Sequence, residues 1–143
     1  MKRIEAIAPL SRDHHEVLIL AQLLKHNAPK YPTLPETKEG KITFALKEYN
    51  VKIKPHFDIE EQMMIKLKGT NKEIDDLINE IIIEHKLIEN AFKLLEQKSN
   101  IETMNEIALL LQNHIRKEER IFFPLIQEKV STKILDEIHE LLH

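Results

Sequence analysis

The stretch Ile74-Asp-Asp-Leu-Ile-Asn-Glu-Ile-Ile-Ile-Glu-His-Lys-Leu-Ile-Glu-Asn-Ala-Phe-Lys-Leu-Leu95 decides the fold class. Its apolar residues recur every three or four positions, the spacing that turns one face of a helix toward a core. This apolar seam consists of Ile74, Ile78, Ile81, Ile88, Phe92 and Leu95. One position of the same seam is His85, a polar residue between apolar neighbours. The stretch therefore predicts a helix that buries an imidazole.

Three further segments carry the same spacing, and each also has a histidine in its seam. Their seams are Leu10, His14, Val17, Ala21 and Leu24; then Ile42, Leu46, Tyr49, Ile53, His56, Glu60, Met63 and Leu67; and then Met104, Ile107, Leu111, His114, Glu118, Ile121 and Leu125. The four seams predict helices over about residues 10–26, 37–68, 71–98 and 100–128, with a short fifth helix over about 132–142.

The connectors and helix starts are predicted from their turn and capping residues. Three prolines in residues 27–36 exclude a continuing helix there, so this stretch is expected to be a connector. Capping boxes predict helix starts at Thr70, with Glu73, and at Ser99, with Glu102. Ser131 or Thr132 is expected to cap the last helix. The other connectors are short, which makes neighbouring helices antiparallel.

The composition excludes several classes of protein. The 143 residues suit one domain spanning residues 1–143, and only two glycines favour an all-α chain. The absence of cysteine leaves imidazole and carboxylate as the metal ligands on offer. A net charge of −3 gives no basic surface for nucleic acid, and the apolar run 107–111 is too short for a membrane span. The charged residues at the N-terminus interrupt any signal-peptide core, so we expect a cytoplasmic protein.

The polar seam residues require compensation, because an unpaired polar or charged group is costly to bury. A helix rises about 1.5 Å per residue. The distance from His56 to the end of its helix is therefore similar to the distance from the start of the next helix to His85, which places the two histidines at the same height. His85 and His114 match in the same way, whereas the long connector makes the match of His14 looser. The four imidazoles are therefore expected in one layer of the fold, where a metal ion would compensate their burial.

Carboxylates accompany three of these histidines. Glu60 follows His56, and Glu118 follows His114, at the i+4 spacing that puts two side chains on one helix face. Glu89 follows His85 at the same spacing but lies one position off the seam. A single such pair is more often a surface contact, and the shared height of the pairs is what favours a metal. The candidate ligands are His14, His56, Glu60, His85, Glu89, His114 and Glu118, and His15 replaces His14 if that seam is displaced by one residue.

Imidazole and carboxylate without thiolate suit iron, manganese or zinc. Two carboxylates among four histidines favour two ions, since one ion would leave ligands unused. The alternative from a different class is a metal-free helical interaction module whose histidines are hydrogen-bonded in the core. Tyr49 lies on the same stripe as His56 and is expected to fill the core or to donate a hydrogen bond near the site.

Four stretches together resemble the hemerythrin-like (HHE cation-binding) family. They are residues 10–18 (LSRDHHEVL), 56–61 (HFDIEE), 84–85 (EH) and 114–124 (HIRKEERIFFP), and they cover all four long helices. The resemblance implies an up-down four-helix bundle, here followed by the short fifth C-terminal helix. It also implies a non-haem di-iron centre, with two Fe ions bridged by an oxo or hydroxo group.

By this resemblance His14 and His56 would bind one iron, His85 and His114 would bind the other, and Glu60 and Glu118 would bridge them. The oxygen-carrying hemerythrins have a second histidine where this chain has Glu89. That departure argues against reversible oxygen carriage, because a carboxylate should favour ferric iron. The carriers also have their last carboxylate at the position of Glu119, whereas the seam favours Glu118 here.

These inferences predict a di-iron protein that binds or responds to a small ligand (O2, peroxide or NO) or that handles iron. A di-iron enzyme that reduces peroxide or NO, or that repairs iron centres, is the alternative. Binding is favoured over turnover, because the seams contain no further acid or base for proton transfer. Manganese or zinc would suit the same ligands. We expect a monomer or a weak homo-oligomer without nucleic-acid or membrane partners, with the fifth helix either capping the bundle or contacting a second copy.

Overall fold

Five helical segments make up the fold. The computed structural model describes residues 2–143, and within this range it contains no β-strand. The segments are α1 (Ala8–Leu24); α2 (Lys38–Glu48), a first π turn (Tyr49–Ile53) and α3 (Lys54–Leu67); α4 (Lys72–Gln97); α5 (Ile101–Lys117), a second π turn (Glu118–Phe122) and α6 (Phe123–Lys129); and α7 (Thr132–Leu142). The prediction of an all-α chain with five helices is confirmed. None of the helices in this part of the chain combines the length and hydropathy that a bilayer crossing requires.

Side-chain caps set four of the helix starts. Thr37, Asn71, Asn100 and Ser131 each accept a hydrogen bond from the backbone N–H three residues later. The predicted caps at Thr70 and Ser99 are therefore wrong by one residue. In both cases the asparagine that follows offers its amide oxygen as the cap, and the helix begins after it.

The two composite helices, α2 to α3 and α5 to α6, each contain a π turn that ends two residues before a proline. The N–H of Lys54 bonds to the carbonyl of Tyr49, and the N–H of Phe123 bonds to that of Glu118, five residues back in each case. Pro55 and Pro124 come next. A proline ring donates no hydrogen bond and clashes with the carbonyl four residues back, and a wider turn relieves that clash. At both prolines the helix therefore continues through a wider turn instead of ending.

The second π turn also moves the apolar face of its helix by one position. Phe122 and Ile126 are fully buried after this turn, whereas Ile121 is 52% exposed and Leu125 is only half-buried. The seam predicted at Ile121 and Leu125 is therefore wrong. It assumed a continuous α-helix, and the extra residue in the π turn rotates everything that follows.

The core consists of two apolar clusters with a polar layer between them. The first cluster includes Val17, Phe57, Ile88 and Leu111, and the second includes Leu10, Met63, Ile81 and Phe122. Each long helical segment passes from one cluster to the other and contributes polar residues where it crosses the layer. The pairs that flank the layer are Leu10 and Val17, Phe57 and Met63, Ile81 and Ile88, and Leu111 and Phe122.

The fifth helix covers the second cluster. α7 packs against α3, with Ile138 fully buried and four further apolar residues half-buried against the cluster. These are Ile134, Leu135, Leu141 and Leu142. At its end, His143 Nε2 lies 2.7 Å from the backbone oxygen of Glu5. α7 therefore caps this end of the bundle, one of the two roles expected from the sequence.

Gly69 generates a prediction about stability. It connects α3 to α4 with φ of +84°, and a Cβ added there would meet nothing within 4 Å. The Gly69→Ala substitution should therefore lower the free energy of unfolding by about 1 kcal/mol through backbone conformation alone. Gly69→Asn should cost less, because asparagine tolerates the left-handed region. Urea denaturation measures both variants, and equal losses would contradict this explanation.

Candidate metal centre

Six buried residues from the four long helical segments meet in the polar layer. They form two overlapping groups, and within each group one ligand atom per residue lies within 4.8 Å of the others. The groups are His14, His56, Glu60 and Glu118, and Glu60, His85, His114 and Glu118. Both glutamates belong to both groups and are 0% exposed. The layer therefore offers two adjacent positions for cations, with two carboxylates between them.

Each of the four imidazoles is held by a carboxylate from another helical segment. The Nδ1 atoms lie 2.8–2.9 Å from a carboxylate oxygen in the pairs His14–Glu119, His56–Asp13, His85–Glu61 and His114–Glu84. An ionised carboxylate only accepts, so Nδ1–H is the donor in these pairs. A neutral imidazole held in this way has its lone pair on Nε2, which is the atom that faces the centre of the layer.

These hydrogen bonds run once around the bundle. We refer to Asp13, Glu61, Glu84 and Glu119 as the carboxylate ring. α1 orients the histidine of α3, α3 orients that of α4, α4 orients that of α5, and the second π turn orients that of α1. Every segment thus positions a candidate ligand on another segment, and the four hydrogen bonds form a closed circuit around the bundle.

The inward-facing atoms lie close together without satisfying one another. His14 Nε2 is 2.8 Å from Glu118 Oε1, but the contact lacks hydrogen-bond geometry. Among the described residues, the buried atoms without a partner include Nε2 of His14, His56 and His114, Oε2 of Glu60 and both oxygens of Glu118. His85 Nε2 differs, because it lies 2.9 Å from Glu60 Oε1. Each unpaired buried polar group costs about 1–3 kcal/mol, and a pair of cations would satisfy these together.

The charges around the layer fit the same conclusion. The two buried glutamates and the ring supply six carboxylates, of which Glu84 pairs with Lys117 and Glu119 pairs with Arg3. With neutral imidazoles, this leaves an excess of four negative charges, equal to the charge of two divalent cations. Two of these four charges, on Glu60 and Glu118, are fully buried and require compensation by metal ions or by protons, whereas Asp13 and Glu61 are 56% and 40% exposed.

Protons supply part of that compensation in the metal-free protein. Burial raises the pKa of Glu118 well above its usual value, and the Glu60 charge adds to this effect. Burial also raises the pKa of Glu60, but contacts with Glu118, His56 and His85 outweigh it and keep the pKa well below its usual value. Burial lowers the pKa of His56, whereas hydrogen bonds to Asp13 and Glu60 raise it further, to about 9. Cations that bind here must therefore displace protons.

Aromatic rings form walls of the layer. Phe57 stacks on His85 with ring centroids 3.9 Å apart and meets His114 edge-on at 5.4 Å. Phe123 stacks on His14 at 5.6 Å. Neither ring belongs to the predicted seams. Both rings keep water from the imidazoles and limit their rotation.

Glu89 is the predicted ligand that the structure does not bring into the layer. Its carboxylate lies 3.0 Å from Lys93 and 3.9 Å from Lys86, and its side chain is 29% exposed. The position one residue off the seam turns this side chain toward solvent. His85, which lies four residues before Glu89, instead contacts the carboxylates of Glu60 and Glu61 on α3.

Burial and contacts decide between His14 and His15 and between Glu118 and Glu119. His14 lies in the layer and His15 is exposed. Glu118 is buried among the candidate ligands, whereas Glu119 orients His14 and also accepts a hydrogen bond from the Ser11 hydroxyl.

Tyr49 takes the core-filling role of the two that its position on the stripe allowed. It is buried in the first cluster, and its ring centroid lies 4.5 Å from that of Phe92. Burial raises its pKa to about 12, so the phenol stays protonated at neutral pH.

Sequence reasoning missed the carboxylate ring, although its members leave a signal. Each lies directly beside a candidate ligand in the sequence, as in Asp13-His14, Glu60-Glu61, Glu84-His85 and Glu118-Glu119. Each ring carboxylate nevertheless binds a histidine on another segment. Spacing along one helix therefore could not reveal these partners.

Comparison with known proteins agrees with this geometry. A family model described as "Hemerythrin HHE cation binding domain" matches residues 5–126, a range that includes all six residues of the layer. Comparisons with curated proteins and with solved structures found no match. The resemblance inferred from the sequence motifs is confirmed, and the buried histidine and glutamate groups could hold a metal. The chain belongs to the hemerythrin HHE cation-binding family.

Proposed function

We propose that this chain is a single-domain di-iron protein that binds or responds to O2, peroxide or NO, or that handles iron. His14 and His56 would hold one ion, His85 and His114 would hold the other, and Glu60 and Glu118 would bridge them. One observation carries this proposal: each imidazole is oriented by a carboxylate at Nδ1, while a set of buried Nε2 and carboxylate oxygen atoms has no partner.

The proposal includes an up-down arrangement of the four long segments. This arrangement is supported by the order, along each segment, of the residues that belong to the two apolar clusters. α1 and α4 run from the second cluster to the first, whereas the two composite helices run from the first to the second. Alternating directions are what short connectors between neighbouring helices require.

The donor set supports iron and leaves room for a small ligand. Each ion would receive two imidazoles and share two carboxylates, which leaves positions open in the coordination that non-haem ferrous iron adopts. Bound iron would supply the electrons for reaction with O2, peroxide or NO. Manganese or zinc would fit the same donors. The protein residues hold the imidazoles through the ring and exclude water with Phe57 and Phe123.

Binding rather than turnover is the role that the surrounding residues favour. The ring carboxylates accept Nδ1 protons, so they are engaged in orientation rather than free to carry protons to a bound molecule. Glu89 pairs with lysines. The ion held by His85 and His114 would therefore lack the ligand that the oxygen carriers have at the position of Glu89. Sensing, scavenging or iron handling therefore suits the site better than reversible oxygen carriage.

Metal content tests the proposal directly. Protein purified without oxygen should contain about two irons per chain by elemental analysis, since two groups of ligands share two carboxylates. Its near-ultraviolet spectrum should change when air is admitted. Protein that takes up no stoichiometric metal, even after reconstitution with ferrous iron, would contradict the proposal and favour the interaction module.

A His114→Leu variant distinguishes these two outcomes further. A metal-binding protein should lose iron and the stabilisation that iron gives, whereas an interaction module should keep or gain stability when a buried imidazole becomes apolar. His26→Leu, at an exposed histidine, is the matched control and should retain its iron.

The carboxylate ring generates a second prediction. Glu84→Ala removes the acceptor for His114 Nδ1 and should weaken metal binding about 10–100-fold, because His114 is no longer oriented. Glu84→Gln should lose less, since its amide oxygen still accepts. Competition with a chelator measures the affinities. Glu80→Ala, at an exposed site one turn earlier on α4, is the control, and an equal loss there would contradict the positioning role.

The third prediction concerns pH. The pKa of His56 lies at about 9 in the metal-free fold, above its value of 6.5 in the unfolded chain. Its stabilising contribution is therefore complete below pH 6.5 and is lost as pH rises through 9, at a cost of about 3 kcal/mol. The raised pKa of Glu118 acts in the same direction.

Loaded protein should show the opposite trend, because protons compete with metal for the same atoms and binding strengthens as pH rises. Chemical denaturation between pH 6.5 and 9, with and without iron, measures both slopes. Parallel profiles for the two forms would mean that metal does not bind at these groups.

A further inference from the structure

Two surface clefts lie beside the candidate metal centre, and they carry opposite charges. One reaches the candidate ligand His56, and the other reaches only a ring carboxylate, Glu119. The first, of about 370 Å³, lies between α1 and the first π turn with α3, and it includes His56 and Asp13 in its lining. The second, of about 350 Å³, lies between α1 and the fourth helical segment and includes Glu119. We refer to them as the acidic cleft and the basic cleft for the reasons that follow.

Three carboxylates and one ammonium line the acidic cleft. Asp13, Glu16 and Glu48 face Lys52 and the protonated His56, which leaves a net charge of −1 in the metal-free protein. The basic cleft has the reverse balance, with Lys25, Arg116 and Arg120 against Glu119. A divalent cation is attracted to the first and repelled by the second.

The acidic cleft also leads directly to a candidate ligand. His56 lines it, and the Asp13 carboxylate lies 2.9 Å from His56 Nδ1. The Asp13 side chain is 56% exposed, more than any other member of the ring, for which the values are 23–40%. Asp13 is therefore the ring carboxylate that moves aside with the least loss of packing.

Lys52 occupies the charged mouth of this cleft. Its Nζ lies 2.7 Å from Glu16 and 3.2 Å from Glu48, so its ammonium takes the position between carboxylates that an incoming cation would take. Hydrogen bonds to Glu16 and Glu48 raise the pKa of Lys52, so it stays charged at neutral pH. Its side chain is 44% exposed, so solvent reaches the ammonium group.

We propose that divalent metal ions enter the centre through the acidic cleft and that Lys52 slows their entry. This inference rests on the proposed function. Glu16 and Glu48 would attract the ion as Lys52 swings away, and Asp13 would pass it to the His14–His56 side of the layer. Loading would therefore begin at that side, and ion uptake would depend on charges that do not touch the bound metal.

Loading kinetics test this route. Metal-free protein is mixed with ferrous iron without oxygen, and unbound iron is trapped by a chromophoric chelator at successive times. Lys52→Glu should load about fivefold faster and Glu16→Lys about fivefold slower, with the differences shrinking at high ionic strength. Val51→Trp, which adds bulk in the cleft wall, should slow loading without a change of charge.

The basic cleft supplies the matched control. Arg116→Glu makes the same change of charge as Lys52→Glu on another part of the surface, and it should leave the rate unchanged. All variants should reach the iron content of the unaltered protein, because none of the substituted residues lies in the layer. Circular dichroism verifies that each variant is folded.

Each result has one meaning. If Lys52→Glu and Glu16→Lys load at the rate of the unaltered protein, or if Arg116→Glu accelerates loading as much as Lys52→Glu, the acidic cleft is not the route. The di-iron proposal survives that result, since the final iron content is unchanged. If the unaltered protein takes up no iron at all, the proposed function itself fails.

Discussion

The hydrogen bond from each imidazole Nδ1 to a carboxylate on another helical segment is the constraint on which the layer depends. Without it the tautomers of the four buried histidines would not be fixed. With it, each Nε2 is presented to the interior and each pair of segments is fixed in register. Each of these bonds therefore orients a candidate ligand and also specifies which helices are neighbours.

Burying this layer is possible because dense apolar packing lies on both sides of it. The two clusters supply the hydrophobic free energy of the fold, while the layer brings unpaired atoms and excess negative charge into the interior. The departures from regular structure lie near the same place: the second π turn contains both Glu118 and Glu119, and the first ends shortly before His56. Irregular helical turns beside the candidate metal ligands are typical of functional sites.

Sequence periodicity predicted the helices, and the regular rise of an α-helix predicted the shared height of His56, His85 and His114. The match of His14 was looser, because a long connector separates its helix from the next. It failed at Ile121 and Leu125, where the π turn changes the phase. Pro124 indicates a break in the hydrogen bonding there, but it does not show that the helix continues through a wider turn. The offset of Glu89 from the seam was visible in the sequence, and the structure turns that side chain to solvent. The ring could not be predicted, since its bonds join segments whose relative rotation the sequence does not give.

The ring also has an order along the chain. Three of its bonds join residues separated by 24, 30 and 43 positions, but Glu119 and His14 are 105 positions apart. The group of Glu60, His85, His114 and Glu118 draws nothing from α1, and its two orienting carboxylates lie on α3 and α4. Half of the layer is therefore complete within residues 38–129, whereas the other half exists only once the first helix has docked. Docking of the first helix closes the longest of these loops and completes both the circuit and the group of residues that contains His14.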